Sequence, residues 1–167
     1  MDYRALNAVT VADAYPLVTI RNNLGSLQGA KVFSVLDVAS AYHHIPVDPA
    51  SRDFTAFASP FGSFRYRSMS FGLKNAGATY CRMVDKMLQK LPPGFVLAYL
   101  DDVLIYSGSL EQHVEHLEQV IGVHKEAGLK LQLAKTELFK EEVEYLGHHM
   151  SAQGVKMLES YVQRIQE

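Results

Sequence analysis

The stretch AYLDDVLIYS, residues 98 to 107, constrains the fold most, because two adjacent carboxylates interrupt an otherwise apolar segment. The flanking runs FVLAYL (95–100) and VLIYS (103–107) have the composition of buried strands. Asp is disfavoured inside a strand and favoured in turns, so Asp101 and Asp102 are expected to form a turn between the two strands. Neighbouring like charges repel, and keeping two of them in one tight turn calls for a functional explanation.

Other segments predict further strands. KVFSVLD (31–37) is apolar and β-branched, and LKLQL (129–133) alternates as a strand does. DFTAFAS (53–59) and SFRYRSM (63–69) flank a Pro-Phe-Gly turn and predict a β-hairpin. A second hairpin is expected near residues 143–157, with Gly154 in its turn.

Two helices are predicted from apolar residues that recur every three or four positions. The first begins near Leu73 and ends before Pro92. The second has Ser109 as its N-cap, Gln112 at the capping-box position, and Gly128 after its last turn. The residues expected on its inner face are Leu110, Val114, Leu117, Ile121 and His124.

With the 53–69 hairpin taken as an insertion, the core order is strand, helix, strand, strand, helix, strand. This is the order of a ferredoxin-like α+β fold, whose sheet has strand order 4-1-3-2. The first and third strands are then neighbours. Asp37 at the end of the first strand is therefore expected beside Asp101 and Asp102 at one edge of the sheet.

Three converging carboxylates need a positive partner if all are to stay ionised. Oxygen ligands suit Mg²⁺ or Mn²⁺, and a pair of such ions serves in-line phosphoryl chemistry. The alternative is ordinary turn chemistry for the Asp pair. The spacing alone does not choose among a polymerase, a nuclease and a cyclase.

Composition limits the other possibilities. The 167 residues suit one domain, and no apolar run reaches the ~18 residues of a membrane span. A lone cysteine, Cys81, cannot form an internal disulfide and favours a reducing intracellular setting. The formal net charge of −2 argues against nucleic-acid binding, which usually requires a basic surface.

The seven histidines are predicted to be structural or surface residues. Adjacent histidines on a strand point to opposite faces, so neither His43–His44 nor His148–His149 is expected to form a zinc site.

Five motifs occur in an order and spacing that resemble a known family: LDVASAYHHIPV (36–47), SFGLKNAGATY (70–80), YLDD (99–102), GLKLQLAKTELF (128–139) and EYLGHHMS (144–151). Together they closely resemble reverse transcriptases of long-terminal-repeat retrotransposons, particularly the Gypsy class and its retroviral relatives. The resemblance implies a polymerase palm and RNA-directed DNA polymerase activity.

The resemblance also implies a metal site. Asp37 and Asp101 would hold two Mg²⁺ or Mn²⁺ ions, with Asp102 as a further carboxylate and the Val38 carbonyl as a ligand. Lys135 would lie near the departing pyrophosphate as a general acid, although a solvated lysine is an equally good interpretation of the sequence.

Further implied roles concern the nucleotide and the primer. Tyr42 would exclude a ribose 2′-hydroxyl, and its alternative is a core aromatic residue. Phe71 and Gly72 would lie near the incoming base. The segment 145–147 would be the primer grip, formed by Tyr145, Leu146 and Gly147.

Basic residues would complete a nucleic-acid groove. The four preferred candidates are Arg65, Arg67, Lys74 and Arg82, from a wider set that includes Arg4, Lys31 and Arg52. Arg65 and Arg67 alternate with Phe64 and Tyr66, a mixture suited to backbone and base contacts. The alternative is a hairpin face that is simply solvated.

The resemblance divides the chain into partial fingers (1–30), a palm (31–151, including the finger-side hairpin 53–69) and the start of a thumb (152–167). The expected partners are an RNA or DNA template with its primer, deoxynucleoside triphosphates, and other Pol segments that supply remaining fingers, thumb and ribonuclease H. No membrane partner is expected. The implied location is intracellular and cytoplasmic, with virus-like particles left open.

Two alternatives remain at this stage. One is a catalytically inactive, truncated remnant that serves as a structural or interaction module. The other is a different palm enzyme, such as an RNA polymerase or a nucleotide cyclase. Tyr42 distinguishes a reverse transcriptase from an RNA polymerase. An RNA polymerase would place a small or polar group at the position where Tyr42 would exclude the ribose 2′-hydroxyl.

Overall fold

The computed structural model describes residues 1–16 and 27–158. Contacts within the chain divide it into two compact units. The first unit comprises Met1–Leu17 and Ser40–Asp85, and the second comprises Val18–Ala39 and Lys86–Glu167. Parts of two predicted segments, the fingers (1–30) and the thumb (152–167), lie outside the described residues, and the division into fingers, palm and thumb stays a prediction.

The described residues form three α-helices and nine strands. In chain order these are α1 (Arg4–Val9), β1 (Val32–Asp37), β2 (Phe57–Ser59), β3 (Gly62–Phe64), α2 (Ala76–Leu88), β4 (Val96–Tyr99), β5 (Asp102–Ser107), α3 (Leu110–Glu126), β6 (Glu137–Lys140), β7 (Glu142–Tyr145), β8 (His148–Ser151) and β9 (Gly154–Met157). Short 3₁₀ helices occupy Ala41–His44, Pro49–Thr55 and Leu133–Lys135.

The main sheet of the second unit has the order β4-β5-β1-β6, and every neighbouring pair is antiparallel. This is the predicted ferredoxin-like order 4-1-3-2, read from its other edge. The buried side chains of Phe33, Leu36, Leu104 and Ile105 on the two central strands form the middle of the sheet. Their burial explains why apolar residues dominate the middle of β1 and β5, although β1 also carries the buried Ser34.

The predicted fourth strand is wrong in position. Residues 129–133 contribute one isolated bridge, Leu131 to Val38, and the chain then turns through the 3₁₀ helix Leu133–Lys135. The fourth strand is β6, all of whose residues are exposed. An exposed edge strand does not need the apolar alternation that identifies a half-buried one.

The helix α2 follows the predicted spacing. Ala76, Tyr80, Val84 and Met87 are buried along one side, and the helix ends at Leu88, before the predicted stop at Pro92. It starts later than predicted, because the backbone N–H of Ala76 first bonds to the carbonyl of Leu73 in a turn.

The helix α3 has the predicted ends, but only part of the predicted face. The Ser109 hydroxyl accepts from the Gln112 N–H at 3.3 Å, as an N-cap should, and Gly128 follows the helix with φ of +72°. Leu117 and His124 are buried as predicted, whereas Leu110, Val114 and Ile121 are exposed by 54%, 41% and 41%. The buried face also carries His113, Val120 and Val123. His113 can be buried because its two ring nitrogens lie within hydrogen-bond distance of the Ser34 and Ser107 hydroxyls.

Both predicted hairpins are present with shorter strands. β2 and β3 pair around Pro60 and Phe61 in the first unit. β7, β8 and β9 form an antiparallel three-stranded sheet in the second, and Gly154 starts β9 with φ of +117° directly after the turn. None of the helices within residues 1–16 and 27–158 is long and apolar enough to cross a membrane.

Candidate active site

The sheet brings Asp37 and the acidic pair together. Asp37 is the last residue of β1 and lies directly opposite Asp102, the first residue of β5. Opposed residues of an antiparallel pair have Cα atoms about 4.5–5.5 Å apart and side chains on the same face. The Val38 N–H donates to the Asp101 carbonyl at 2.9 Å, which fixes Asp101 beside the end of β1. The predicted convergence of these residues is confirmed.

The turn that carries the acidic pair is tight. Tyr99 pairs with Asp102, so only Leu100 and Asp101 connect β4 to β5. We call residues 99–102 the acidic loop. Leu100 has φ of 52°, in the left-handed region that non-glycine residues seldom adopt. Such a conformation persists only where surrounding contacts hold it, and it is concentrated at functional sites.

Lys135 reaches the same site from the segment after α3. The Gln132 N–H donates to the Asp37 carbonyl and the Ala39 N–H donates to the Lys130 carbonyl, which binds this segment to the end of β1. The Lys135 Nζ lies 3.3 Å from Asp37 Oδ2. The Asp37 side chain is 12% exposed and that of Lys135 is 62% exposed, so a largely exposed ammonium group contacts a largely buried carboxylate.

The electrostatics of the site favour a cation. Burial raises the pKa of Asp102, and the nearby charges of Asp101 and Asp37 raise it further, while Lys135 opposes them. The repulsion among the three carboxylates therefore exceeds what one lysine neutralises at Asp102. Additional positive charge at this edge of the sheet would stabilise the ionised form.

The donor set fits a hard divalent ion. Carboxylate oxygens are the ligands that Mg²⁺ and Mn²⁺ prefer. Within the described ranges, however, no group of three or more His, Cys, Asp or Glu side chains is arranged to hold a metal by itself. In phosphate-handling enzymes, one or two carboxylates commonly hold Mg²⁺ together with substrate phosphates.

The predicted primer-grip residues form the β7–β8 turn. Leu146 and Gly147 have φ of 49° and 78° and connect the paired residues Tyr145 and His148. Two consecutive residues with positive φ are typical of a type I′ hairpin turn. Tyr145 itself is only 3% exposed, and its hydroxyl donates to the Asp102 carbonyl at 3.1 Å. The sequence offered no signal for this contact, which joins residues 43 positions apart.

Three of the residues predicted to bind the nucleotide, Tyr42, Phe71 and Gly72, lie in the first unit, whereas the fourth, Val38, follows β1 in the second. The rings of Tyr42 and Phe71 are 4.9 Å apart between centroids, and Tyr42 is 5.7 Å from Tyr80. Phe71 is 56% exposed. Gly72 has φ of +88° and its carbonyl accepts from Asn7 Nδ2 at 2.8 Å, so glycine suits this turn.

Three of the four preferred basic residues already have protein partners in the first unit. Arg65 pairs with Asp53. Lys74 Nζ donates to the carbonyls of Asn7 and Thr10 at 3.2 and 2.8 Å. Arg82 bonds to Asp13 at 2.6 Å and stacks over the Tyr15 ring.

Arg67 differs from these three residues. It is exposed, and its side chain has no hydrogen-bond or ion-pair partner in the part of the chain that the structure describes. The internal partners of the other three were not foreseen, because they join residues up to 69 positions apart.

Comparison with known proteins identifies the group to which these features belong. Residues 1–150 match the family described as reverse transcriptase (RNA-dependent DNA polymerase). The chain belongs to the reverse transcriptase family.

The relatives of this reverse transcriptase domain are retroelement polyproteins. It is 39% identical over 156 residues to the retrovirus-related Pol polyprotein from transposon 297 of Drosophila melanogaster, covering 93% of the chain and 15% of the relative. The Pol polyprotein of transposon gypsy, also from Drosophila melanogaster, is 36% identical over 167 residues, covering 100% of the chain and 16% of the relative. The transposon Tf2-3 polyprotein of Schizosaccharomyces pombe is 33% identical over 165 residues, covering 99% of the chain and 12% of the relative.

Solved structures of similar fold agree with membership of the reverse transcriptase family. The foamy viral protease-reverse transcriptase in complex with an RNA/DNA hybrid superposes with a TM-score of 0.86 at 25% identity, covering 99% of the chain and 22% of that protein. A second foamy viral structure, in complex with double-stranded DNA, gives a TM-score of 0.89 and covers 29% of that protein. The family and α+β fold predicted from the motifs are therefore confirmed, and the reverse transcriptase domain spans 12–16% of the three curated relatives named above.

Proposed function

We propose that this reverse transcriptase domain adds deoxynucleotides to a primer 3′-hydroxyl under the direction of an RNA or DNA template. The observation that carries the proposal is the register that sets Asp37 opposite Asp102, with the Asp101 carbonyl bonded to the Val38 N–H. The three carboxylates lie at one edge of the sheet, and one lysine does not neutralise them. Such a cluster can bind divalent cations, which in turn bind phosphate groups.

The residues proposed to hold two divalent ions are Asp37, Asp101, Asp102 and the carbonyl of Val38. Reverse transcriptases as a family generally depend on divalent metal ions. When bound, the ions would supply the positive charge that the attacking and leaving oxygens require. The protein's own contribution is to hold these carboxylates on two hydrogen-bonded strands, so that little reorganisation accompanies the reaction.

Lys135 is proposed to act on the leaving group. As the primer 3′-oxygen bonds to the α-phosphorus, the bond to the pyrophosphate oxygen breaks and negative charge collects there. The Nζ of Lys135 can donate a proton to that oxygen, and its 3.3 Å contact with Asp37 holds it at the site beforehand.

Other residues are proposed to position the substrates. Tyr42 would exclude a 2′-hydroxyl, and Phe71 with Gly72 would lie near the incoming base. The turn of Leu146 and Gly147, which follows Tyr145, would guide the primer end. Holding reactants in line in this way contributes to the rate without any further chemistry.

The proposed partners are a template-primer duplex, deoxynucleoside triphosphates and further Pol segments. The foamy viral proteins carry an RNA/DNA hybrid or double-stranded DNA in their complexes, which supports the first of these. The polyprotein relatives are much longer than this chain, which supports the third. Of the four preferred basic residues, exposed Arg67 is the one that could reach a nucleic-acid backbone without exchanging a partner among the described residues. The proposed place of action is inside the cell, in the cytoplasm or in virus-like particles.

Primer extension on poly(rA)–oligo(dT) with Mg²⁺ or Mn²⁺ tests the proposal, comparing the wild-type chain with Asp101→Asn and Glu118→Gln. Glu118 lies on the exposed side of α3, so Glu118→Gln removes one carboxylate charge away from the site. Extension should fall at least ~100-fold in Asp101→Asn and remain in Glu118→Gln.

Two outcomes would contradict the proposal. Extension that survives Asp101→Asn would show that the acidic pair is not catalytic. A folded wild-type chain that extends no primer would favour the alternative, in which the domain is an inactive structural or interaction module.

A further inference from the structure

The buried hydroxyl of Tyr145 contacts the acidic loop. It donates to the Asp102 carbonyl at 3.1 Å. Asp102 pairs with Tyr99 across the two loop residues Leu100 and Asp101. The Tyr145 hydroxyl is therefore bonded to a residue that closes the loop carrying the proposed catalytic carboxylate.

The loop needs such support. Leu100 has φ of 52°, a conformation that is strained for a residue with a Cβ atom. Pairing with β1 holds the Asp102 side of the loop through Asp37 and Val38. The hydroxyl of Tyr145 supplies a contact from a separate sheet, through strand β7.

The ring of Tyr145 is itself firmly held. It is 3% exposed and belongs to a core cluster with Phe33, Leu104, Val143 and Met150. A buried ring with a hydroxyl donor at its tip can fix a neighbouring carbonyl in one place.

We propose that Tyr145 is a positioning residue, whose hydroxyl holds the acidic loop so that Asp101 and Asp102 face Asp37. The expected effect of Tyr145 on catalysis rests on the proposed function. Its expected effect on the conformation of the acidic loop is independent of that function. It differs from a contact with the primer, because the side chain points into the core and away from solvent. The prediction for the neighbouring Leu146–Gly147 turn is unaffected.

The test compares Tyr145→Phe with Tyr106→Phe in the full chain. Tyr145→Phe removes only the hydroxyl oxygen and keeps the buried ring. Tyr106 is a buried tyrosine of the same cluster and lies four residues from Asp102 along β5, about 13 Å away. Tyr106→Phe therefore removes an equivalent atom at a distance from the loop.

The first measurement is amide hydrogen exchange without added metal. In Tyr145→Phe, the amides of Tyr99 and Asp102 should exchange at least ~10-fold faster than in the wild type, while amides of Phe33 and Leu104 stay unchanged. Tyr106→Phe should leave all four amides at wild-type rates, apart from a uniform change caused by global stability. Equal acceleration at the loop and in the core, or none at the loop, would overturn the proposal.

The second measurement is steady-state primer extension. Tyr145→Phe should lower kcat roughly 5- to 20-fold with little change in KM for the deoxynucleotide, because substrate contacts are intact and only the carboxylates are misplaced. A rise in KM with unchanged kcat would overturn the positioning role. If the wild-type chain extends no primer, the proposed function fails, and the exchange measurement alone decides whether Tyr145 holds the loop.

Discussion

At the scale of single residues, Tyr42 shows how a bulky ring can be held in a fixed place. Its neighbours in the first unit are Phe71, at 4.9 Å and an interplanar angle of 49°, and Tyr80, at 5.7 Å and 70°. These are favourable aromatic arrangements, each worth about 0.5–1.5 kcal/mol beyond the buried area. A ring held on two sides cannot easily swing away from a larger substrate, which is the property that a steric gate requires.

The proposed gate predicts the behaviour of Tyr42→Val. Removing the ring should leave room for a ribose 2′-hydroxyl and lower the preference for deoxynucleotides over ribonucleotides at least ~10-fold. Competing dTTP and UTP on poly(rA)–oligo(dT) measures this preference. Tyr42→Phe is the matched control and should keep wild-type selectivity, since it retains the ring. Unchanged selectivity in Tyr42→Val would contradict the gate.

Predictability from sequence differs among the residues of the site. The meeting of Asp37 with Asp101 and Asp102 follows from strand order, because Asp37 ends a strand and Asp102 begins one that apolar composition identifies, and Asp101 directly precedes Asp102. The contact of Tyr145 with the Asp102 carbonyl depends on how two separate sheets pack, and no periodic pattern records that. Side-chain partners chosen by tertiary packing, such as Asp13 for Arg82, are hidden for the same reason.

At the scale of elements, two glycines of contrasting conformation are associated with α3, one within the helix and one just after it. Gly122 lies on the exposed side of the helix, and no described atom would come within 4 Å of an added Cβ, the helix's own nearby backbone aside. Gly128 follows the helix with φ of +72°. The space around both positions is open, so only the backbone conformation distinguishes them.

This contrast predicts opposite effects of alanine on stability. Gly122→Ala should raise the free energy of unfolding by up to ~1 kcal/mol, because alanine favours the helix. Gly128→Ala should lower it by about 1 kcal/mol, because a Cβ atom is strained at positive φ. Urea unfolding followed by circular dichroism measures both changes. A stabilising Gly128→Ala would be incompatible with the left-handed end of α3.

Element ends were easier to predict than element faces. Ser109 and Gly128 mark the ends of α3 through local chemistry that the sequence displays directly. Its buried face was predicted only in part: Leu117 and His124 are buried as expected, but hydrophobicity gave no sign that His113 is fully buried. Strand β6 was missed because four exposed residues at a sheet edge show no alternation.

At the scale of the whole molecule, a buried polar chain connects α3 to the central sheet. The His113 ring nitrogens lie 2.7 Å from the Ser34 hydroxyl and 2.8 Å from that of Ser107. Ser107 also lies 2.8 Å from His116 Nδ1. Burial lowers the pKa of His113, with a further contribution from His116, and burial also lowers the pKa of His116 and His124.

These shifts predict acid sensitivity. Because the folded-state pKa values lie below the unfolded value of about 6.5, protons bind first to the unfolded chain as the pH falls. The contribution of these histidines to the free energy of unfolding should therefore be constant above about pH 6.5. Below that pH, the free energy of unfolding should decrease. Urea unfolding at pH 7.5, 6.0 and 5.0 measures the slope. His113→Gln should make the decrease shallower, and a slope identical to that of the wild type would contradict the assignment to His113.

The internal partners of Arg65, Lys74 and Arg82 have a consequence for association with a polyanion. Affinity for nucleic acids depends on ionic strength because each phosphate that a free cation neutralises releases a condensed counterion. A cation that must first leave a carboxylate or a carbonyl contributes less to that release. For a chain of net charge −2 with three such cations, added salt should weaken the proposed duplex binding only gradually. Stacking and shape would then supply a larger share of the affinity than charge does.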